Sequence, residues 1–134
     1  MMEKVIKVVG AILIEEGKIL IAQRVPGRSL ENMWEFPGGK IEMHETPREA
    51  LIREIIEELK IQVQVEEEVF ECTRYAYDFG TVELTTYRCQ LIAGTPMLME
   101  HTAIDWVTPE ELDQFVFAPA DIPAVEKLKV QGVE

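Results

Sequence analysis

The chain has 134 residues, 47% of them hydrophobic, which predicts a single domain over residues 1–134 with enough apolar side chains for one core. Its formal net charge of −12 at pH 7 argues against polymeric DNA or RNA as a partner, because proteins bind those polymers by neutralising phosphates with Lys and Arg. The longest apolar stretch near the start, residues 8–14, is too short to cross a membrane and no small-residue cleavage site follows it, so we expect a cytoplasmic protein without a membrane partner.

Two strands are predicted at the beginning of the chain, near residues 4–14 and 18–23, from their apolar and β-branched content. A loop rich in Pro, Gly, Ser and Asn follows the second strand. It leads to Gly38 and Gly39, which we interpret as a turn that precedes a helix.

The helix is predicted to begin just after Glu45. Thr46 can cap it, and Pro47 suits the first helical position, where its missing N–H costs nothing. At a period of 3.6 residues an apolar face lies opposite an acidic face. The predicted apolar face consists of Leu51, Ile52, Ile55, Ile56 and Leu59, and the acidic face of Glu54, Glu57 and Glu58.

The acidic face of this helix predicts a site for a divalent cation. Glu54, Glu57 and Glu58 lie within one turn, so at neutral pH they repel one another in the bare helix. A divalent cation would remove this repulsion, and carboxylate oxygens suit Mg²⁺ or Mn²⁺. The alternative is a solvated helix face, which is the usual role of a charged run.

The second half of the chain is predicted to contain strands near residues 63–76, 81–92 and 103–107. Thr108 to Glu111 have the sequence of a capping box that opens a short helix, and residues 120–130 are predicted to form a last helix. Cys72 and Cys89 lie in the first two of these strands, on either side of a turn. They either face each other or, as is more usual in an acidic, enzyme-like chain, stay reduced and packed.

Residues 39–61 resemble the Nudix box. Lys60 stands where that box has a glycine, at a helix end where glycine is favoured because it adopts the left-handed conformation without strain. Either Lys60 adopts that conformation at a cost of about 1 kcal/mol, or the helix ends differently. The positions that match the box are Gly39, Glu45, Arg53, Glu54, Ile55, Glu57, Glu58 and Ile61.

Two further segments, residues 34–42 and 117–123, resemble the Nudix branch of MutT and CTP pyrophosphohydrolases. The resemblance implies an α/β fold, an α/β/α sandwich with a mixed β-sheet. It also implies Mg²⁺-dependent hydrolysis, with Mn²⁺ as a substitute, of nucleoside triphosphates to monophosphates and pyrophosphate, by a monomer or homodimer. The implied substrates are oxidised nucleotides such as 8-oxo-dGTP, or cytosine nucleotides. The alternatives are a hydrolase of ADP-ribose or a similar nucleoside diphosphate derivative, and a non-catalytic nucleotide-binding module.

The resemblance also implies roles for acidic residues. Glu54, Glu57 and Glu58 would bind the metal, helped by a backbone carbonyl of the Gly38 turn. Arg53 can pair with Glu45, which precedes the helix, or with Glu49 and Glu57 along the helix. Such pairing would orient the carboxylates, and the other possible role of Arg53 is a plain surface ion pair. Glu100 lies in a polar loop where related enzymes carry a further metal ligand or base; it is otherwise an ordinary loop acid. His101 beside it is a weaker candidate base.

For the substrate, Arg24 is the best cationic candidate to bind phosphate, and Arg28 and Lys40 are lesser ones. The resemblance to MutT-like enzymes implies that one short segment lines the nucleotide pocket, although Phe36 within it could equally belong to the core. This segment is Glu35, Phe36, Pro37 and Gly38.

Asp121 lies where the guanine-lesion branch has asparagine and the CTP branch has aspartate. An ionised aspartate only accepts hydrogen bonds, which would favour a base rich in N–H donors, such as cytosine, unless burial raises the pKa of Asp121 and lets it donate. The alternative is that Asp121 caps the last helix.

Overall fold

A mixed sheet lies at the centre of the computed structural model, which describes residues 4–133. Its strands are β1 (Val5–Glu15), β2 (Lys18–Gln23), β3 (Trp34–Glu35), β4 (Gly38–Lys40), β5 (Gln62–Tyr77), β6 (Gly80–Ala93) and β7 (Ala103–Val107). Their order is β3-β2-β1-β6-β5, with β4 also paired to β1 and β7 to β2. Strands β1 and β6 are parallel and the other pairs are antiparallel, so the predicted mixed sheet is confirmed.

Helices cover both faces of this sheet. Helix α1 (Pro47–Leu59) lies on one face, and helix α2 (Ile122–Gln131), together with the 3-10 helix Pro109–Gln114, lies on the other. Neighbouring residues of β1 show the two layers, because Leu13 packs in the α1 core and Ile12 in the α2 core. The predicted α/β/α sandwich is therefore present.

Helix α1 begins with the predicted cap. The Oγ1 of Thr46 accepts the N–H of Glu49 at 3.1 Å, and the Glu49 carboxylate accepts the N–H of Thr46 at 2.9 Å. At the other end Lys60 adopts φ 58° and ψ 37°, and its N–H donates to the Ile56 carbonyl at 3.0 Å. The helix thus ends in the left-handed conformation that the position requires, although the residue is lysine.

The apolar face of α1 was predicted too broadly. Ile52 and Ile56 are 38% and 43% exposed, whereas the buried stripe consists of Ala50, Leu51, Ile55 and Leu59. The physical reason is that Glu54 and Glu58, on one flank of this stripe, are themselves partly buried beside the cavity wall that β4 forms. The helix is therefore rotated about its own axis relative to the prediction, and Ile52 and Ile56 on the other flank face outward.

The prediction of a turn at Gly38 and Gly39 is wrong, because both residues belong to strand β4. Gly38 pairs with Gly10 and Gly39 with Val9 of β1. A Cβ on Gly38 would lie 1.9 Å from the Val9 carbonyl oxygen. Glycine is therefore required here for close approach of two strands rather than for a turn.

The second half of the chain follows the predicted order. The capping box at Thr108 is confirmed, since its N–H donates to Glu111 Oε1 at 2.8 Å, but it opens a 3-10 helix. A second 3-10 helix, Pro119–Asp121, precedes α2, so the last α-helix begins later than predicted. Within residues 4–133 no helix is long and apolar enough to cross a membrane.

The two cysteines do not face each other. Cys72 pairs with Thr85 and Cys89 pairs with Val65 across strands β5 and β6. Both thiols are free; Cys89 is buried as predicted, whereas Cys72 is exposed rather than packed.

Candidate active site

The contact between β4 and α1 places the first acid of the cluster. A Cβ on Gly39 would lie 2.0 Å from Glu54 Oε2, so only glycine leaves room for this carboxylate above the strand. Burial, the largest cause, raises the pKa of Glu54 above its usual value, although Arg53 opposes the shift. The strand and the helix therefore hold a carboxylate in a partly desolvated position.

Arg53 contacts four residues of the site. Its Nε and Nη2 bind both oxygens of Glu45, at 2.6 and 2.9 Å, and its Nη1 contacts Glu54 at 2.7 Å and Glu57 at 3.2 Å. Its Nη2 also donates to the Lys40 carbonyl at 3.1 Å. The hydrogen bonds from Arg53 lower the pKa of Glu45 to about 2. Arg53 thus fixes the side chains around it, whereas an isolated surface pair would engage one acid.

Of the alternative partners named for Arg53, Glu57 is an additional partner and Glu49 is not one. The Glu49 carboxylate instead closes the capping box at the start of α1. Pairing with Glu45 and Glu57 therefore occurs together, around the same guanidinium.

Among the acids of α1, Glu58 has the surroundings that least favour its charge. Its Oε1 is buried and has no hydrogen-bond partner. Burial, and then repulsion from Glu35, Glu54 and Glu100, raises the pKa of Glu58 to about 9, although a hydrogen bond from the Gly38 backbone acts in the opposite direction. A buried carboxylate surrounded by other acids needs either a proton or a cation.

The donor set fits a hard divalent cation. Carboxylate oxygens from α1 are the ligands that Mg²⁺ and Mn²⁺ prefer, and the unpartnered Glu58 Oε1 and the raised pKa of Glu54 both indicate unmet demand for positive charge. Within residues 4–133, no three or more His, Cys, Asp and Glu side chains are already arranged as a cation site. Arg53 instead contacts both Glu54 and Glu57, and the Glu57 side chain is 53% exposed.

A cavity of about 550 Å³ opens beside these acids, a volume in the range of small-molecule sites. Its wall combines acids, cations and aromatic rings from six segments of the chain. The polar and aromatic lining residues are Lys4, Arg24, Arg28, Ser29, Glu35, Phe36, Lys40, Glu54, Glu58, Tyr77, Phe79 and Asp121, with Gly38 and Gly39 among the others.

The predicted substrate residues are divided between this wall and the core. Arg24 lines the cavity and is held by Glu35 Oε1 at 3.0 Å and by the Ser29 carbonyl at 2.9 Å. Phe36 belongs to both, because it lines the cavity but is only 3% exposed and packs with the α2 core. Pro37 is a correction: it does not line the cavity, and its carbonyl accepts the N–H of Ala11 at 2.8 Å. Pro37 therefore holds the segment against β1.

Asp121 lines the cavity and does not cap α2. Its Oδ2 accepts the backbone N–H of Phe36 at 3.0 Å, and it makes no capping hydrogen bond. Burial, and then repulsion from Glu35, raises the pKa of Asp121 well above its usual value. The capping alternative is therefore wrong, and the side chain is placed in a cavity wall.

Glu100 and His101 lie together in a second, smaller cavity of about 70 Å³. Glu100 is exposed, and its charge contributes to the raised pKa of Glu58, so the loop brings it close to the α1 acids. His101 is only 8% exposed, and its Nε2 lies 3.0 Å from Glu35 Oε2. A lone histidine in a polar loop carries no local signal of this contact, which is why sequence reasoning gave it little weight.

Tyr77 and Phe79 were not predicted as site residues. Their rings stack at 5.1 Å between centroids, and the Tyr77 hydroxyl accepts the N–H of Ala120 at 2.8 Å. The signal that could have found them is the spacing of the aromatic residues at positions 75, 77 and 79, where β5 ends and the turn to β6 begins, because alternate residues of a strand face the same side and Phe79 follows directly in the turn.

Comparison with known proteins decides the family. The model of the NUDIX domain matches residues 8–127. The chain belongs to the Nudix hydrolase family.

Relatives of this Nudix hydrolase match over nearly their whole length. It is 42% identical to the CTP pyrophosphohydrolase of Escherichia coli K12 over 92% of this chain and 90% of the relative. It is 35% identical to the 8-oxo-dGTP diphosphatase of the same strain, over 96% and 98% of the two chains. A solution structure described as the DNA mismatch repair protein MutT, a Nudix hydrolase from methicillin-resistant Staphylococcus aureus 252, is 53% identical, with a TM-score of 0.80 over 98% of this chain and 100% of that chain.

In this Nudix hydrolase the glycine and most of the charged residues of the box meet at one place. Gly39 lies in β4, Glu45 in the following loop, and Arg53, Glu54 and Glu58 on α1, all beside the larger cavity or in contact with a residue that lines it. The spacing of the box therefore corresponds to one strand, one loop and the whole of helix α1.

Proposed function

We propose that this Nudix hydrolase cleaves nucleoside triphosphates to nucleoside monophosphates and pyrophosphate in a Mg²⁺-dependent reaction. The observation that carries the proposal is the buried, unpartnered Oε1 of Glu58 in the wall of a cavity large enough for a nucleotide. Similarity to a CTP pyrophosphohydrolase and to 8-oxo-dGTP diphosphatases supports oxidised nucleotides or cytosine nucleotides as substrates.

Glu54, Glu57, Glu58 and Glu100, with a backbone carbonyl at Gly38, are the proposed ligands of Mg²⁺, or of Mn²⁺ in its place. When bound, the ion shields the phosphates and lowers the pKa of coordinated water. The repulsion among these acids supports this ligand set, since the charges of Glu54 and Glu100 both raise the pKa of Glu58. Binding of the cation would stabilise the ionised form of these carboxylates and release protons.

Arg53 and Glu45 are proposed to keep the ligands oriented. Arg53 contacts Glu54 and Glu57 through one nitrogen, while its other two nitrogens are held by both oxygens of Glu45. A side chain held at that many points restricts the rotamers of its partners. Glu100, exposed and outside this network, is the proposed further ligand or proton acceptor.

Arg24 is proposed to bind the phosphates and Asp121 the base. The guanidinium of Arg24 is anchored by Glu35 and Ser29 yet lines the cavity. Asp121 presents an acceptor when ionised and a donor when protonated, and burial shifts its pKa in the direction that favours the protonated form. Both a cytosine amino group and a purine carbonyl are therefore compatible partners.

A panel of nucleotides tests the activity. The protein would be incubated with Mg²⁺ and ordinary, methylated and oxidised nucleoside triphosphates and ADP-ribose, and monophosphate and pyrophosphate would be quantified. Pyrophosphate release from triphosphates supports the proposal. Turnover of ADP-ribose alone would contradict it in favour of a diphosphate-derivative hydrolase, and no turnover of any compound would indicate a binding module.

Two sets of variants locate the chemistry. Glu57→Gln and Glu58→Gln remove a metal-binding charge, so we expect loss of most turnover with the fold retained, whereas Glu67→Gln, at an exposed acid of β5, serves as the control. Near-normal turnover in both Glu variants would refute the metal assignment.

Asp121→Asn should change the preference between bases more than the rate. An unchanged base preference would refute the Asp121 assignment.

A further inference from the structure

His101 makes a buried contact that links the loop before β7 to the cavity wall. Its Nε2 lies 3.0 Å from Glu35 Oε2, and its side chain is 4% exposed. The other oxygen of Glu35 accepts from Arg24 Nη1 at 3.0 Å. The Glu35 carboxylate is thus held at both oxygens, by residues from two distant parts of the chain.

The orientation of Glu35 affects the placement of the residues around it. Arg24 is fixed by Glu35 and by the Ser29 carbonyl, and without Glu35 the guanidinium would lose one of these two anchors. The Glu35 charge also raises the pKa of both Glu58 and Asp121, so it lies between the acid cluster and the proposed base contact. A shift of Glu35 would be felt in both parts of the cavity.

The contacts of the two ring nitrogens indicate which of them carries a proton in His101. Nε2 faces a carboxylate oxygen, which can only accept when ionised, whereas Nδ1 is buried and has no partner. A hydrogen bond between Nε2 and Glu35 requires a proton on Nε2. A proton on Nδ1 alone would place two acceptors against each other and leave a buried donor unpaired.

We propose that His101 is a positioning residue, which donates its Nε2–H to Glu35 and thereby keeps Glu35 and Arg24 in the orientation in which Arg24 meets the substrate phosphates. His101 does not touch the substrate in this role and acts through Glu35. The kinetic consequence rests on the proposed function, whereas the hydrogen bond itself does not.

Three substitutions of His101 separate the hydrogen bond from simple packing. His101→Gln keeps an N–H donor near the Nε2 position, whereas His101→Asn places its amide near Nδ1 and His101→Ala removes both. We expect the Ala and Asn variants to lose about 10-fold to 100-fold in kcat/KM, mainly through a higher KM, and the Gln variant to recover most of it. Partial unfolding would instead lower kcat at constant KM, and thermal unfolding of each variant checks for it.

A double-mutant cycle tests whether His101 acts through Glu35. In a Glu35→Ala background, His101→Ala should cause little further loss, because the group that it positions is absent. Independent, multiplying losses in the double variant, or a Gln variant as impaired as the Ala variant, would overturn the proposal.

Nitrogen NMR of histidine-labelled protein tests the contact without any substrate. The chain has two histidines, and a His44→Gln variant assigns the signals because His44 is exposed. At neutral pH we expect His101 to carry a proton on Nε2, and the signal to change in the Glu35→Ala variant. An Nε2 without a proton would overturn the proposal. If the wild-type protein hydrolysed no nucleotide, the proposed function would fail, and this measurement would still decide the contact between His101 and Glu35.

Discussion

Glu58 shows how one residue links burial, protonation and metal binding. Its carboxyl is largely desolvated, has one oxygen without a partner, and lies near Glu35, Glu54 and Glu100, which together raise its pKa to about 9. Without metal, the folded protein therefore keeps Glu58 protonated at neutral pH. A divalent cation that uses this oxygen must displace the proton, so its affinity should increase with pH.

The raised pKa of Glu58 predicts how stability depends on pH in the metal-free protein. Between the ordinary value of 4.5 and about 9, the folded state binds a proton that the unfolded state has released. The free energy of unfolding therefore decreases as pH rises through this window. In the presence of a chelator, urea unfolding of the wild type should show this decrease, and Glu58→Gln should show a smaller one.

The comparison between the wild type and Glu58→Gln removes the contribution of other groups. The lowered pKa values of Glu45 and Glu111 act at pH values below this window. Glu67→Gln, at an exposed position, should retain the wild-type slope. Equal slopes for the wild type and Glu58→Gln would show that Glu58 is ionised without metal.

At the scale of elements, the site is built where α1 crosses β4. The two glycines of β4 serve different contacts, since Gly38 allows the approach of β1 and Gly39 makes room for the Glu54 carboxylate. The end of α1 has a different constraint, because Lys60 adopts a conformation that is strained for a residue with a Cβ. These are backbone requirements, and each can be tested by adding or removing one Cβ.

Adding a Cβ to each glycine of β4 should separate chemistry from stability. In Gly39→Ala the new methyl group meets the end of a flexible side chain, so Glu54 moves; we expect kcat/KM to decrease about 100-fold with little change in the melting temperature. In Gly38→Ala the methyl group meets the Val9 carbonyl oxygen, so β1 and β4 must separate, at a cost of about 1–3 kcal/mol. The same loss of stability in both variants, measured by urea unfolding, would contradict this division.

Removing the Cβ of Lys60 should stabilise the protein. Lys60→Gly relieves the left-handed strain at φ 58°, and we expect a gain of about 1 kcal/mol in the free energy of unfolding. Lys60→Ala keeps a Cβ and removes the charge, so it should give no such gain. If Lys60→Gly were less stable than the wild type, interactions of the lysine side chain would outweigh the strain.

At the scale of the whole molecule, the fold concentrates negative charge. The chain carries a formal net charge of −12, and the sandwich places four glutamates, Glu35, Glu54, Glu58 and Glu100, close enough for the other three to raise the pKa of Glu58. In the unfolded chain these residues separate and the repulsion among distant ones is screened. Folding thus brings together carboxylates whose repulsion a bound cation would relieve, and the unfolded chain has no such cluster.

Mg²⁺ should therefore stabilise the folded protein specifically. A ligand that binds only the folded state raises its stability in proportion to the logarithm of its concentration. We expect millimolar Mg²⁺ to raise the melting temperature of the wild type more than a monovalent salt of equal ionic strength does, and a chelator to reverse the effect. The increase should be smaller in Glu57→Gln and Glu58→Gln, and equal increases in all three proteins would contradict binding at the α1 acids.

The sequence by itself determined the local structure of this protein. The capping boxes at Thr46 and Thr108 and the order of the two α-helices and the five longer strands depend on residues a few positions apart, whereas the short strands β3 and β4 were not predicted. Even there, the rotation of α1 differed from the prediction, because the outward position of Ile56 depends on what packs against the helix.

Only the tertiary structure decided which distant residues meet. Phe36 and Asp121 are 85 positions apart, and Glu35 and His101 are 66 positions apart, yet both pairs are joined by hydrogen bonds across the cavity wall. Their contact depends on the pairing of strands and on the order of the sheet, which no local pattern encodes. The role of Asp121 as a cavity residue rather than a cap, and the contact of His101 with Glu35, follow from that long-range arrangement.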